Sequence, residues 1–147
     1  MPTLKWFTFN EAPRGSFSLP LTLPAGQEFF LTSIVMNGIQ PGDRLVFNGT
    51  IGWSVNAVLP GVSELIIRIR LGSATGPVVF ETRDSLFLTL NTGTIFGTQT
   101  TDITHAEISA VNMPTFETYF LNVRFESVVG TTRIEGPVHF SGSLISS

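Results

Sequence analysis

Arg44-Leu45-Val46-Phe47-Asn48-Gly49-Thr50-Ile51-Gly52-Trp53-Ser54-Val55 decides the class of fold. Leu45, Phe47, Ile51, Trp53 and Val55 fall on the odd positions, with Gly49 among them. Arg44, Asn48, Thr50 and Ser54 fall on the even ones, with Val46 the exception. Alternation with a period of two suits a β-strand with one face buried, and a helix has no use for it. Trp53 lies on the apolar face and is expected in the core.

The same alternation recurs downstream. Leu65, Ile67, Ile69 and Leu71 oppose Arg68 and Arg70, and Tyr119, Leu121, Val123 and Phe125 oppose Asn122, Arg124 and Glu126. Further strands are expected at Phe29–Asn37, Val78–Arg83, Leu86–Leu90, Ile103–Ser109 and Arg133–Leu144. Gln40-Pro41-Gly42-Asp43, Leu59-Pro60-Gly61, Gly76-Pro77, Asn91-Thr92-Gly93 and Val129-Gly130 separate them. These are turn signals because proline presets φ and glycine accepts a positive φ. About eight to ten short strands at such spacing make an all-β, antiparallel two-sheet sandwich. A jelly-roll type is favoured over an immunoglobulin-like one, which lacks its Cys–Trp–Cys pattern here.

The chain has 147 residues, one domain's worth, and no cysteine. That excludes a disulfide scaffold, a thiolate zinc site and a cysteine nucleophile. Eight basic residues against eleven acidic ones exclude a binder that neutralises nucleic-acid phosphates. Only 13% of residues are charged, about half the ~25% of an ordinary soluble domain. Lys5 is the single lysine, while 18 Thr, 13 Ser and 14 Gly take the surface positions. A neutral surface repels its own copies weakly, so oligomers or an extracellular surface are expected.

Residues 1–26 differ from the rest. Prolines 2, 13, 20 and 24 disfavour a central strand, yet Trp6, Phe7, Phe9 and Phe17 are too apolar for a solvated tail. The segment is set apart as an N-terminal arm before a sandwich domain of residues 27–147. Either it lies along its own domain's edge or it packs on a neighbouring subunit. In the second case Trp6, Phe7, Phe9 and Phe17 are the candidate assembly contacts. The segment shows no apolar core of a signal peptide, and no apolar run approaches a membrane span, so neither secretion nor a membrane partner is expected.

Chemistry-bearing patterns are scarce. His105 and His139 lack metal-ligand spacing, and no nucleophile elbow, phosphate loop or calcium loop occurs. Glu64 with Glu81 is the kind of carboxylate pair a β-sandwich hydrolase would need, and nothing in the sequence places them together. Asn48-Gly49-Thr50 fits a glycosylation sequon that matters only in a secreted chain. No catalytic residue, metal or cofactor is expected.

Several segments carry a family resemblance: Ile39 to Trp53, Ile66 to Leu71, Val79 to Ser85, Thr100 to His105, Tyr119 to Ser127 and Ile134 to Ser146, with Gly136-Pro137-Val138-x-Phe140-Ser141-Gly142 the most distinctive. In that order, over about residues 29–147, they resemble the exosporium protein family of the exosporium protein C type, from spore-forming Bacillus and Paenibacillus relatives. The resemblance implies a non-enzymatic structural protein of the spore surface, made in the mother-cell cytoplasm without a signal peptide. It implies a homo-oligomer, polymer or filament, with other spore-surface proteins as further partners. A carbohydrate- or receptor-binding module is the alternative, and it requires an exposed Trp or Tyr.

Overall fold

The computed structural model describes residues 1–12, 19–57, 59–89, 95–127 and 130–147. Nine strands account for them, with no helix among the described residues: β1 (Leu4–Ala12), β2 (Leu21–Leu23), β3 (Glu28–Asn37), β4 (Arg44–Ala57), β5 (Gly61–Leu71), β6 (Val78–Leu88), β7 (Ile95–Ile108), β8 (Phe116–Ser127) and β9 (Thr131–Ile145). They form two antiparallel sheets packed face to face. Sheet A runs β1-β9-β4-β7, with β2 continuing the β1 edge along β9, and sheet B runs β3-β8-β5-β6.

The alternation of β4 has the expected result. Leu45, Phe47, Ile51, Trp53 and Val55 are buried, and so are Leu65, Ile67 and Ile69 of β5 and Tyr119, Leu121, Val123 and Phe125 of β8. Aromatic contacts join the sheets at two levels. Phe47 meets Tyr119 with ring centroids 4.5 Å apart, and Trp53 meets Phe125 at 5.6 Å. The Trp53 indole Nε1 donates to Thr101 Oγ1 at 2.9 Å, so its one polar atom is satisfied inside.

Two glycines are required by geometry. Gly42 takes φ +86° in the turn joining β3 to β4, where Asp43 N donates to Gln40 O at 3.0 Å. Gly52 lies where β4 and β9 shift register, and a Cβ there would come within 2.2 Å of Gly136 O. That closeness explains why the outward row of β4 carries no side chain at position 52.

Two features depart from expectation. The segments expected at Val78–Arg83 and Leu86–Leu90 are one strand as far as Leu88, because Asp84 and Ser85 stay in the ladder opposite Leu65 and Glu64. Leu90, and the turn expected at Asn91-Thr92-Gly93, lie outside the described residues, as does Val129. Strand β7 begins at Ile95 rather than Ile103, since its threonine-rich first half pairs with Gly52–Ala57. Within residues 1–26, β1 and β2 pair with β9 of the same chain and complete sheet A.

Phe47→Ala and Tyr119→Ala each remove a ring that bridges the sheets. Each is expected to cost about 3–5 kcal/mol of stability, measured by urea unfolding; a cost under about 1 kcal/mol contradicts the assigned core.

Candidate assembly surface

The pairing of β1 with β9 fixes which way each arm residue points. Trp6 opposes the buried Leu144, and Asn10 opposes the buried Phe140, so these side chains turn toward sheet B. There Trp6 Nε1 donates to Val35 O at 3.0 Å and Asn10 Nδ2 to Ser33 O at 3.3 Å, closing the gap between β1 and β3. Phe7 and Phe9 oppose Ser143 and Ser141 on the outer face, 54% and 58% exposed, with ring centroids 6.1 Å apart. The four candidate contacts are therefore divided: Phe7 and Phe9 share the outer face, Trp6 serves the sandwich seam, and Phe17 lies outside the described residues.

The register brings further apolar residues beside Phe7 and Phe9. Leu4, Ile145, Arg44 and Ile108 form one row across sheet A, and Phe7, Ser143, Val46 and Ala106 form the next. Leu4 is 63% and Ile108 70% exposed, while Val46 and Ile145 are half-buried. A contiguous apolar patch thus spans four strands at the end of sheet A that carries both termini. Beyond it the face turns to small polar groups, with Thr50 donating to Asp102 (2.8 Å) and Thr104 to Asn48 (3.1 Å). Composition pointed to the arm and missed Leu4, Val46, Ile108 and Ile145. The available signal was Val46, the apolar residue out of step in β4, and Ile108, out of step with Thr104 in β7.

Asp43 anchors this end. Its buried carboxylate accepts from Gln40 N at 2.9 Å and from Lys5 Nζ at 2.5 Å, tying β1 to the β3–β4 turn. The Lys5 ammonium, with Gln40 N, holds the carboxyl below the usual aspartate range despite burial. Ser109 N in turn donates to Asp43 O at 2.8 Å. On the outer face Glu11 lies 3.3 Å from His139 Nδ1.

The outer face of sheet B carries more ionic groups, beside the exposed Phe30, Val62 and Phe87. Glu28 accepts from Arg70 at 2.6 and 3.0 Å, from Asn122 at 2.6 Å and from Arg68. Asn122 Nδ2 and Arg70 Nη1 also hold Ala74 O (2.8 Å) and Gly76 O (2.6 Å), pinning the β5–β6 loop over the sheet. Arg83 lies 3.2 Å from Glu64 and 3.9 Å from Glu126. Arg70 above all, then Asn122 and Arg68, outweigh partial burial and bring the Glu28 pKa from 4.5 down to about 2.

Glu64 and Glu81 point outward from sheet B, and each pairs with an arginine, Arg83 and Arg68 respectively. His105 is turned inward, stacked on Phe80 with centroids 4.7 Å apart and 3.3 Å from Glu107 Oε2. Tyr119 donates to Glu107 Oε1 at 3.2 Å, and burial followed by the adjacent Glu107 charge raises its pKa. Glu107 also lines a cleft of about 320 Å³ with Leu71, Met113 and Glu117. No group of three or more His, Cys, Asp or Glu is placed to hold a metal among the described residues. Compared with known proteins, the chain matches no family model and no curated protein.

Because the Glu28 pKa is depressed on folding, its contribution is complete above about pH 4.5 and is lost as pH falls toward 2. Asp43 acts in the same direction. The urea midpoint is expected to hold between pH 7 and about 5 and then to fall; Glu28→Gln lowers the neutral midpoint and flattens the acid slope. An acid slope unchanged by Glu28→Gln contradicts this assignment.

Proposed function

We propose that this protein is a non-enzymatic structural subunit of a bacterial spore surface layer or appendage, self-assembling through the outer face of sheet A. The carrying observation is the apolar patch of Leu4, Phe7, Phe9, Val46, Ile108 and Ile145. Exposed apolar area of this extent is costly in water and is covered in an assembly. The contrast between the two outer faces points the same way. Covering sheet B would desolvate a network of arginines and glutamates, whereas covering this end of sheet A buries mainly rings, aliphatic chains and hydroxyls, with Arg44 the one ionic group in the row. The spore location and the exosporium family rest on the sequence resemblance.

Strand order supports the jelly-roll reading of the sandwich. The pairs β1·β9, β3·β8, β4·β7 and β5·β6 are nested, as in a long hairpin rolled onto itself. The alternative, a carbohydrate-binding module, draws less support, because Trp53 and Tyr119 are buried and the Trp6 indole is bonded to Val35 O.

Light scattering and negative-stain microscopy of the full chain are expected to show oligomers or polymers. Phe7→Ser with Phe9→Ser is expected to weaken association at least tenfold while leaving the thermal midpoint within a few degrees. A wild-type monomer at high concentration overturns the proposal, as does a double variant that associates normally.

A further inference from the structure

The four sheet edges are not equally protected. A strand edge left bare is a template for pairing, and proteins blunt it with bulges, prolines, lysines or covering groups. The edge of β1 shifts register between Leu4 and Trp6, carries Lys5, and gives way to β2, only three residues long and followed by Pro24. Strand β3 shifts between Phe30 and Thr32, and its Val35 and Ser33 carbonyls accept from the Trp6 and Asn10 side chains. The β5–β6 ladder shifts between Ile69 and Arg70, and β6 carries Glu81 and Arg83 outward.

Strand β7 has no bulge, proline, lysine or arginine, and what protects it is the inward Glu107 and the bonds of Gln99 and Thr101 to Asp84. It pairs residue for residue with β4 over 14 residues, without a register shift. That is more than twice the usual strand length of about 5–6 residues. Its inward-facing Gln99, His105 and Glu107 stay partly exposed, whereas the inward residues of β4 are fully buried. Among the described residues no strand pairs with the flank of β7 away from β4, although Thr101 and Ile103 in the middle of its inward row are buried.

We infer that β7 is a second assembly contact, pairing antiparallel with β7 of another copy about a two-fold axis and joining two A sheets into one. The choice of a second copy rests on the self-assembly reading above and on charge. A continuous sheet requires opposed residues to share a face, so only registers opposing residues of like parity are allowed. Axes at Thr101 and at Asp102 give the longest overlaps. The Asp102 axis opposes two carboxylates, which is unfavourable. The Thr101 axis opposes Asp102 with Thr100, Thr98 with Thr104, and Phe96 with Ala106, and no like charges meet. Thr98 and Thr104 are exposed on the outer face, so that pair is open to manipulation.

An edge contact at β7 and a face contact around Phe7 and Phe9 are two different self-complementary contacts on one subunit. Either alone closes a dimer; alternating the two extends a chain.

The test is a charge swap on the full chain, read by sedimentation velocity and microscopy. Thr98→Lys with Thr104→Lys sets like charges opposite each other twice per contact and is expected to reduce polymers to dimers joined by the face, with edge affinity at least tenfold weaker. Thr98→Lys with Thr104→Glu opposes unlike charges and is expected to restore the polymer. Combining the lysine pair with Phe7→Ser and Phe9→Ser is expected to leave monomers. Polymers indifferent to the lysine pair overturn the edge contact alone, and so does failure of the Lys/Glu variant to recover. If the wild type and the phenylalanine variant are both dimers while the lysine pair yields monomers, the face reading fails and the edge stands. A monomeric wild type overturns both.

Discussion

The contact of β4 with β8 across the sandwich carries the rest of the structure. Phe47 against Tyr119 and Trp53 against Phe125 set the two sheets at a fixed spacing from both ends of β4. Strand β4 is also the centre of sheet A, flanked by β9 and β7 along nearly its whole length. Rows on the outside of the sheet are aligned by this same ladder, so the apolar patch exists only because β4 holds β9 and β7 in register. Burial of the inner row and composition of the outer patch are thus two consequences of one strand's alternation.

The two sheets solve the problem of an outer face differently. Sheet B covers Ile66 and Asn122 with a layer of arginine–glutamate pairs and a loop pinned by Asn122 and Arg70. That layer gains from partial burial because Glu28, Arg68, Arg70 and Arg83 each meet more than one partner, and Glu28 stays ionised to low pH. Sheet A has few charges to arrange in this way. It keeps hydroxyls over most of its area and apolar side chains at the end anchored by Lys5 and Asp43. The arginine–glutamate network lies on sheet B, while the ionic groups of sheet A, such as Glu11 with His139 and Arg133 with Glu135, are scattered among hydroxyls and apolar side chains.

Legibility in the sequence followed the strength of the alternation. Strands β4, β5 and β8 stood out because their inward rows are large and apolar while their outward rows are mostly polar. The first half of β7 was silent: Thr98, Thr100 and Thr101 are similar in polarity, although Thr101 is buried and the other two are exposed. The apparent break at Asp84 and Ser85 misled for a related reason. Asp84 faces inward, where Gln99 donates to it at 2.5 Å and Thr101 also donates, so a polar residue occupies an interior position that pattern alone assigns to apolar ones.

The sequence by itself determined the all-β class, the strands of the central ladder and the core row of each, because side-chain alternation is a local property that the pleat turns directly into burial. It also determined how few charged residues the chain has to place on its surface. Only the tertiary structure decided where the first residues go and what they make. Trp6 and Phe7 are adjacent in the chain, yet the pleat sends one to the seam and the other outside. Leu4, Val46, Ile108 and Ile145 are far apart in the chain, and they meet only because β1, β9, β4 and β7 are hydrogen-bonded in that order. Which edge stays bare is likewise a property of strand order, since a strand's own residues do not say whether a neighbour will cover its flank.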